Sequence, residues 1–560
     1  MEERQILRAF LVMFMVLMAY YVIFPPRAPQ KKPPVPRATP EAPAVPPRAE
    51  APQAPSASAP TASAPVARVA ADEEYRVEVE TPQFLAAFKN RGARLVSWKL
   101  THYRDAKGDP EEMVHTTAEG PLPFDVDTGD TAVNTRLREA LFKASSREVK
   151  LSRTEESSVV FEFADGDLSA RKEFWFRGDG YLVKVATSVQ QGGRELPRKV
   201  LWGPGLGHAS AAERSLRDYA EPHGVALVNG KAVQTAAAKI GDGVTYNELR
   251  WIGVEARHFV ALWVPAQDRG AGELHQVELP GVGPDAKPHP ATLASVAQGA
   301  STEPALLYVG PKDYYILSHV GHDLVRAVPL GDWIGPIVIF MMNVLRWLHA
   351  HLGNYGWSIV ALTAVISLIM APLRHYGIVN GRKMAKMSPE MKVIQERYRK
   401  VPFDKRQDMQ KEMAALYEKH GMNMMGQMLV GCLPLLITMP FLFAVYRVLN
   451  VSIDLRGAGF LWIPDLSYRD PLFVTPILMA VSMFLMQKLT PTTMEPAQQR
   501  MMMIMPIVLV GFVSAAPAGL NLYWFVSNLC SIIQQVVTLK LLAAREEAAG
   551  ATAPAKRRRR

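Results

Sequence analysis

The sequence predicts a membrane protein in three parts: an N-terminal signal-anchor helix, a β-sandwich domain outside the cytoplasm, and a five-helix transmembrane core bearing a cytoplasmic helical hairpin. Three observations predict it. The apolar residues, 49% of the chain, are unevenly placed: they gather in the first 24 residues and again after Trp333. The stretch between reads like a soluble domain. Finally, the uncharged span Trp357–Leu373, near the lower length limit for a crossing helix, empties into a basic arm, Arg374–His420, with 12 Lys/Arg against 6 Asp/Glu. Basic loops stay on the cytoplasmic side, and this orients the remaining spans.

Residues 1–24 hold the apolar run Ile6–Phe24 behind Arg4 and Arg8. It runs straight into Pro25-Pro26-Arg27 without a small-x-small cleavage site, which favours an uncleaved anchor over a signal peptide. Residues 25–71 are mostly Pro, Ala and Ser. Such composition cannot bury enough apolar surface to offset its ordering entropy, so the segment reads as a tether.

Residues 72–330 alternate in strand fashion. Val77 and Val79 share one face, and Phe161 and Phe163 another. Phe174 and Phe176 lead through Arg177-Gly-Asp-Gly180 to Tyr181, Val183 and Val185, the pattern of an antiparallel hairpin. A domain of this length built of such units predicts a large β-sandwich.

Residues 331–356 carry Arg346, His349 and His351 towards the end of an apolar run, and are expected to form an amphipathic helix in the membrane interface. Parity supports this, because a further crossing would put the basic arm on the wrong side. The core is assigned to 357–543, with its hairpin at 374–420. After Trp357–Leu373, spans are expected near Met428–Leu449, Leu472–Gln487, Met501–Ala516 and Leu520–Leu542. The slightly acidic loop 450–471 belongs outside and the basic tail 544–560 inside. Trp333, Trp347, Trp357 and Trp462 fall near the predicted outer interface, as an aromatic belt should.

Within the spans the polar side chains are modest: Thr363, Ser367, Thr438, Ser482, Asn521, Ser527, Asn528, Gln534 and Gln535. Hydrogen bonding between helices accounts for any one of them. No Asp or Glu lies within the last five spans, which weakens a proton-coupled transporter. Pro434, Pro440 and Pro506 interrupt spans, although prolines are common in membrane helices. In the arm, Ser388-Pro389-Glu390 reads as a helix start, Val401-Pro402 as a break, and Asp404 as the cap of a second helix ending at Gly421. Met384, Met387, Met391, Met409 and Met413 dot the pair. They suit either a surface accepting varied apolar partners or a coiled-coil seam with solvated charges.

Enzyme signatures such as HExxH, the P-loop and G-x-S-x-G are absent from the sequence. Gly203-Pro-Gly-Leu-Gly207 reads as a turn, and His319 and His322 lack further ligands. Cys432 and Cys530 lie in apolar runs and offer neither a disulfide framework nor zinc spacing. No catalytic group, metal or cofactor is expected. The net charge of +10 gathers in the arm and tail, which points to membrane lipids or ribosomal RNA as partners.

Several motifs together resemble the YidC/Oxa/Alb family of membrane-protein insertases. They are Gly353-Asn-Tyr-Gly-Trp-Ser358, Met384-Ala-Lys-Met387, Cys432-Leu-Pro-Leu-Leu436 with Met439-Pro440, and Leu489-Thr-Pro-Thr-Thr493. Gln498-Gln499, Leu522-Tyr-Trp-Phe-Val-Ser-Asn528 and Ile532-Ile-Gln-Gln535 complete the set. Residues 333–545 carry the close match, and the anchor, tether and β domain match the Gram-negative layout.

The resemblance implies a bacterial inner-membrane, multi-pass insertase and chaperone for nascent membrane proteins. Both termini would be cytoplasmic and the β domain periplasmic, and the protein would work alone or with the Sec translocon. It implies a hydrophilic groove lined by Thr363, Ser367, Thr438, Tyr523 and Trp524, and a substrate slide of Met439, Pro440, Val508 and Phe512. The arm, with Lys386 among its methionines, would meet substrate first, and the tail would contact the ribosome. The chain departs from the family at Ser367, where the family usually carries an arginine. Arg374, seven residues on, shares its face about 10 Å nearer the cytoplasm, and the expectation is that it reaches into the groove mouth. A transporter or channel, or a membrane-anchored periplasmic glycan-binding protein, is the competing reading.

Overall fold

The computed structural model describes residues 68–105, 107–115, 120–207, 222–267, 269–280, 288–298, 303–331, 333–398, 406–420, 439–490 and 496–551. The expected anchor, nearly all of the tether, Thr438, the first part of the span begun at Met428 and the end of the tail lie outside the described residues. Residues 63–493 and 503–560 form one compact unit. Residues 494–502 fall in the other unit and enter here only as the start of a helix.

Alternating apolar residues build the β-rich domain. One sheet has five strands, in the order Pro110–Glu112, Arg94–Arg104, Phe84–Lys89, Arg76–Glu80, Glu148–Lys150. The described residues of the other sheet form 14 strands. Val77, Val79, Phe84 and Phe88 of the first sheet are buried against Phe161, Phe174 and Phe176 of the second, which is the sandwich expected of a period-two pattern. The hairpin read from Phe174 to Val185 is present: Leu168–Arg177 pairs antiparallel with Leu182–Gln191, and Lys184 faces Trp175. Between the sheets Lys172 is buried, and its ammonium donates to the carbonyls of Gly92, Ala93 and Phe124. All three acceptor residues have left-handed backbone, which turns their carbonyls onto one point.

Within this domain a short helix, α1 (Thr131–Glu139), is capped by Asp130. The last strand, Ala305–Pro311, leads into α2 (Tyr314–Val320), capped by Asp313. Next come α3 (Gly335–Leu352), α4 (Tyr355–Tyr398), α5 (Arg406–Lys419), α6 (Met439–Val451), α7 (Val474–Leu489), α8 (Pro496–Val513) and α9 (Ala518–Ala551). Helices α4 and α9 are long and apolar enough to cross a membrane, and α6, α7 and part of α8 are shorter apolar helices. The helix expected over 331–356 is shorter, and Gly353 ends it in left-handed conformation. It buries Val338, Met341, Met342 and Leu345 and exposes Phe340 and Trp347.

One expectation is corrected here. Ser388-Pro389 does not begin a helix: α4 runs unbroken through Pro372 and Pro389 to Tyr398, so the hairpin's first limb continues the span. Proline removes one N–H donor, but packing beyond it holds the register. Met387 and Met391 are buried against Leu416 of α5, with Met384, Met413 and Tyr417 around them. Lys419–Glu390 and Arg397–Glu412 close the seam.

Candidate functional site

The helical core is built inside out. Large apolar side chains face outward: Val365, Leu368 and Ile369 on α4, Ile477, Val481 and Phe484 on α7, Ile507 and Val508 on α8, and Ile533, Val537 and Leu541 on α9. Polar ones are buried: Ser358, Thr363 and Ser367 on α4, Thr475 and Ser482 on α7, and Asn521, Gln535 and Thr538 on α9. In water such an exterior would aggregate, whereas a lipid solvent rewards it. Trp333, Trp347, Trp357 and Trp462 are all exposed.

Some buried polar groups bind neighbouring helices. Asn528 donates to Ser482 Oγ at 2.9 Å, and Gln535 to the Leu489 carbonyl at 2.8 Å. Gln534 donates to the Ala371 carbonyl, and Thr363 bonds back to Ile359 within its own helix. The first three of these bonds tie α9 to its neighbours. A second set has no protein partner: Ser367 Oγ, Arg374 Nη1, Asn380 Nδ2, Gln487 Oε1 and Asn521 Oδ1 are buried without a hydrogen bond. They lie on α4, α7 and α9, and α9 packs on both of the others. Buried polar atoms left unpaired by protein are satisfied by water or ligand. Chemically, these atoms can bond water or a polar ligand.

Of the expected groove residues, Thr363, Ser367 and Arg374 share one side of α4. Arg374 lies close to Tyr523 and Cys530 of α9. Tyr523 is buried and Trp524 packs beside it in the helical core. Met439 and Pro440 open α6 half-buried, Val508 is exposed on α8, and the side chain of Phe512 lies outside the described residues. Of the arm methionines, Met387 and Met391 are consumed by the seam, whereas Met384, Met409 and Met413 are half-buried and Lys386 is exposed. Asn380 and Gln487 escaped the sequence reading. Asn380 lies about 140° round α4 from Ser367, off the face that Thr363, Ser367 and Arg374 share.

The connector between α6 and α7, residues 452–473, closes one end of the bundle. Leu455, Phe460, Ile463 and Leu466 are buried in the helical core. Ala518 and Gly519 at the start of α9 donate to the carbonyls of Tyr468 and Leu466, and Asn354 donates to that of Gly459. Gly356 lies so close to Phe460 that an added Cβ would meet the ring at 2.1 Å. Asp470 anchors the far end by accepting from the N–H of Thr475 and of Leu472 and from the indole of Trp462. Burial pushes its carboxyl up, but these donors outweigh burial and leave it below the ordinary range. Among the described residues no group of three or more His, Cys, Asp or Glu is placed to hold a metal.

A bundle with an apolar exterior and buried polar groups, joined to a β-rich domain, defines an integral membrane protein. Comparison with known proteins narrows the class. The model of the 60Kd inner membrane protein family matches residues 347–545, and that of the YidC periplasmic domain matches residues 76–347. The membrane protein insertase YidC of Geobacter metallireducens is 31% identical over 555 residues, covering 97% of this chain and 99% of that one. Its counterpart in Citrifermentans bemidjiense is 32% identical over 555 residues, covering 97% and 100%. A crystal structure of an active YidC insertase with its first transmembrane domain resolved aligns at 16% identity, TM-score 0.35, over 84% of this chain and 94% of that one. The chain belongs to the YidC family of membrane protein insertases.

Proposed function

We propose that this insertase receives the polar part of a nascent membrane protein in the space between α4, α7 and α9, and releases the apolar part into lipid beside α6 and α8. The observation that carries the reading is the set of buried polar atoms without protein partners, Ser367 Oγ, Arg374 Nη1, Gln487 Oε1 and Asn521 Oδ1. Water beside them lowers the desolvation cost of bringing polar chain into the membrane. Burial of the substrate's apolar helix in lipid then drives release, with no nucleotide and no covalent step. Val508 and its exposed neighbours on α8 supply the apolar slide together with Met439, Pro440 and Phe512. Thr438 completes the groove lining.

In this reading the closed end of the bundle faces the periplasm with the β domain, and the arm and both termini face the cytoplasm. The exposed tryptophans near the closed end mark the outer interface. The arm and tail meet the ribosome, and the protein works alone or beside the Sec translocon. Arg374 takes the part of the missing groove arginine, since its guanidinium has buried donor capacity that no protein group uses.

Reconstitution tests the function. Purified protein in liposomes is given a two-span nascent protein, and integration is scored by protease protection. Protection no greater than in protein-free liposomes would end the reading.

A further inference from the structure

The connector that closes the bundle is fastened from both sides. Val451 and Ile453, just before it tightens, are buried in the core of the β-rich domain. Leu455, two residues on, is buried in the core of the helices. The chain crosses from one core to the other within five residues, and charged contacts concentrate there. Arg346, on α3, donates from Nε to Asp454 Oδ2 at 2.7 Å and from Nη2 to Asp313 Oδ2 at 2.6 Å. Its guanidinium lies 3.7 Å above the ring of Tyr315. Asp313 is nearly fully buried and uses its other oxygen to cap α2, at 2.8 Å from the Tyr315 N–H. One guanidinium thus joins the end of the β-rich domain, the interfacial helix and the connector. A second contact repeats the design: Arg456 donates to Glu111 of the five-stranded sheet at 2.7 Å and lies over Phe259.

We propose that Arg346 is a positioning residue for the outer seal of the groove: by holding Asp454 against Asp313 it keeps residues 455–466 seated across the bundle, and without it the groove leaks. The proposal rests on the reading above that this end faces outward and is closed while the groove is wet. It gives part of the β-rich domain a mechanical task that binds no substrate. The connector's apolar residues fill the end of the bundle, but they leave when its first residues come free, because Val451 and Ile453 are held by the other core. Removing the guanidinium leaves two carboxylates facing each other, one of them deeply buried, which repel.

The test uses full-length protein in liposomes loaded with a small fluorescent anion, with dye release and insertion of a two-span substrate measured on the same preparation. Arg346→Gln is expected to raise release by about tenfold, the effect of a modest shift in a seated–unseated equilibrium. The charge swap Arg346→Asp with Asp454→Arg is expected to restore tightness, which a merely structural loss of fold would not allow. Arg456→Gln, at the second contact, is expected to leak in the same direction, and guards against a misfolded first variant. Hydrogen exchange over 452–470 should quicken in both single variants. Release by both single variants at the wild-type rate would overturn the proposal, as would a swap variant as leaky as Arg346→Gln. If wild-type protein itself leaks freely or inserts nothing, it is the closed-groove reading that fails instead.

Discussion

Replacing Arg374 with glutamine removes one positive charge from the proposed groove while keeping a side chain that can hydrogen bond. Its guanidinium is half-buried between α4 and α9, and one of its amino groups is fully enclosed without a protein partner. A substrate carboxylate drawn into the same wet space approaches to about 6 Å, where an effective dielectric of about 40 gives an attraction of about 1.4 kcal/mol. That corresponds to about tenfold in occupancy. The assay pairs two short substrates that differ only in an Asp/Glu-rich or an Asn/Gln-rich translocated tail, and scores protease protection in liposomes. Arg374→Gln should reduce insertion of the acidic tail by about tenfold and of the neutral tail by less than about twofold, and added salt should narrow the gap. Ser367→Arg in the same background should recover most of the loss. Equal losses on both tails, or none on either, would refute the assignment of a substrate-facing charge to Arg374.

Other consequences follow from the packing. Gly356→Ala forces a Cβ into the ring of Phe460, and should cost roughly 1–3 kcal/mol, read as a lower melting temperature and faster exchange across 455–466. Lys172→Met strands the carbonyls of Gly92, Ala93 and Phe124, and should destabilise the β-rich domain by about 1–3 kcal/mol in a denaturant titration. Burial pushes Lys172 down to about 7. The unfolded chain therefore binds more protons at this site between pH 7 and its ordinary 10.5, and the site's contribution to stability rises with pH through that window. The difference between wild type and Lys172→Met should carry this slope. Glu546 on α9 accepts from Lys386 and Arg382 of α4, and the Lys386 hydrogen bond, with the nearby positive charges, holds its carboxyl below the ordinary range. The tie is complete above that range and lost as pH falls through the lowered value. Glu546→Gln should loosen residues 382–398 at neutral pH as acid does in the wild type, measured by hydrogen exchange.

The β-rich domain was legible because strand alternation is local: Phe174, Phe176, Val183 and Val185 announce both the buried face and the turn between them. The inside-out helices were legible from bulk hydropathy, and one polar side of α4 from Thr363, Ser367 and Arg374. What escaped was set by distant partners. Ser388-Pro389-Glu390 is a good helix start in isolation, and only the seam formed by Met387, Met391 and Leu416 shows why the helix instead runs through it. The same seam decides between the two readings of those two methionines. The connector 452–473 looked like a slightly acidic loop, because nothing in its own sequence reveals that Ile453 and Leu455 belong to different cores. Asn380 and Gln487 stood among solvated or apolar neighbours, and their isolation becomes visible only when no partner is found within reach.

Helix α4 has a mechanical consequence. It is a single rod of 44 residues, about 66 Å long, carrying Ser367 and Arg374 near its middle and ending beyond Met391. A tilt of about 5° pivoting at Arg374 swings the tip by about 3 Å. A load on the tip is thereby carried along one continuous helix to the segment that holds Ser367 and Arg374, with no relay of intermediate contacts between them.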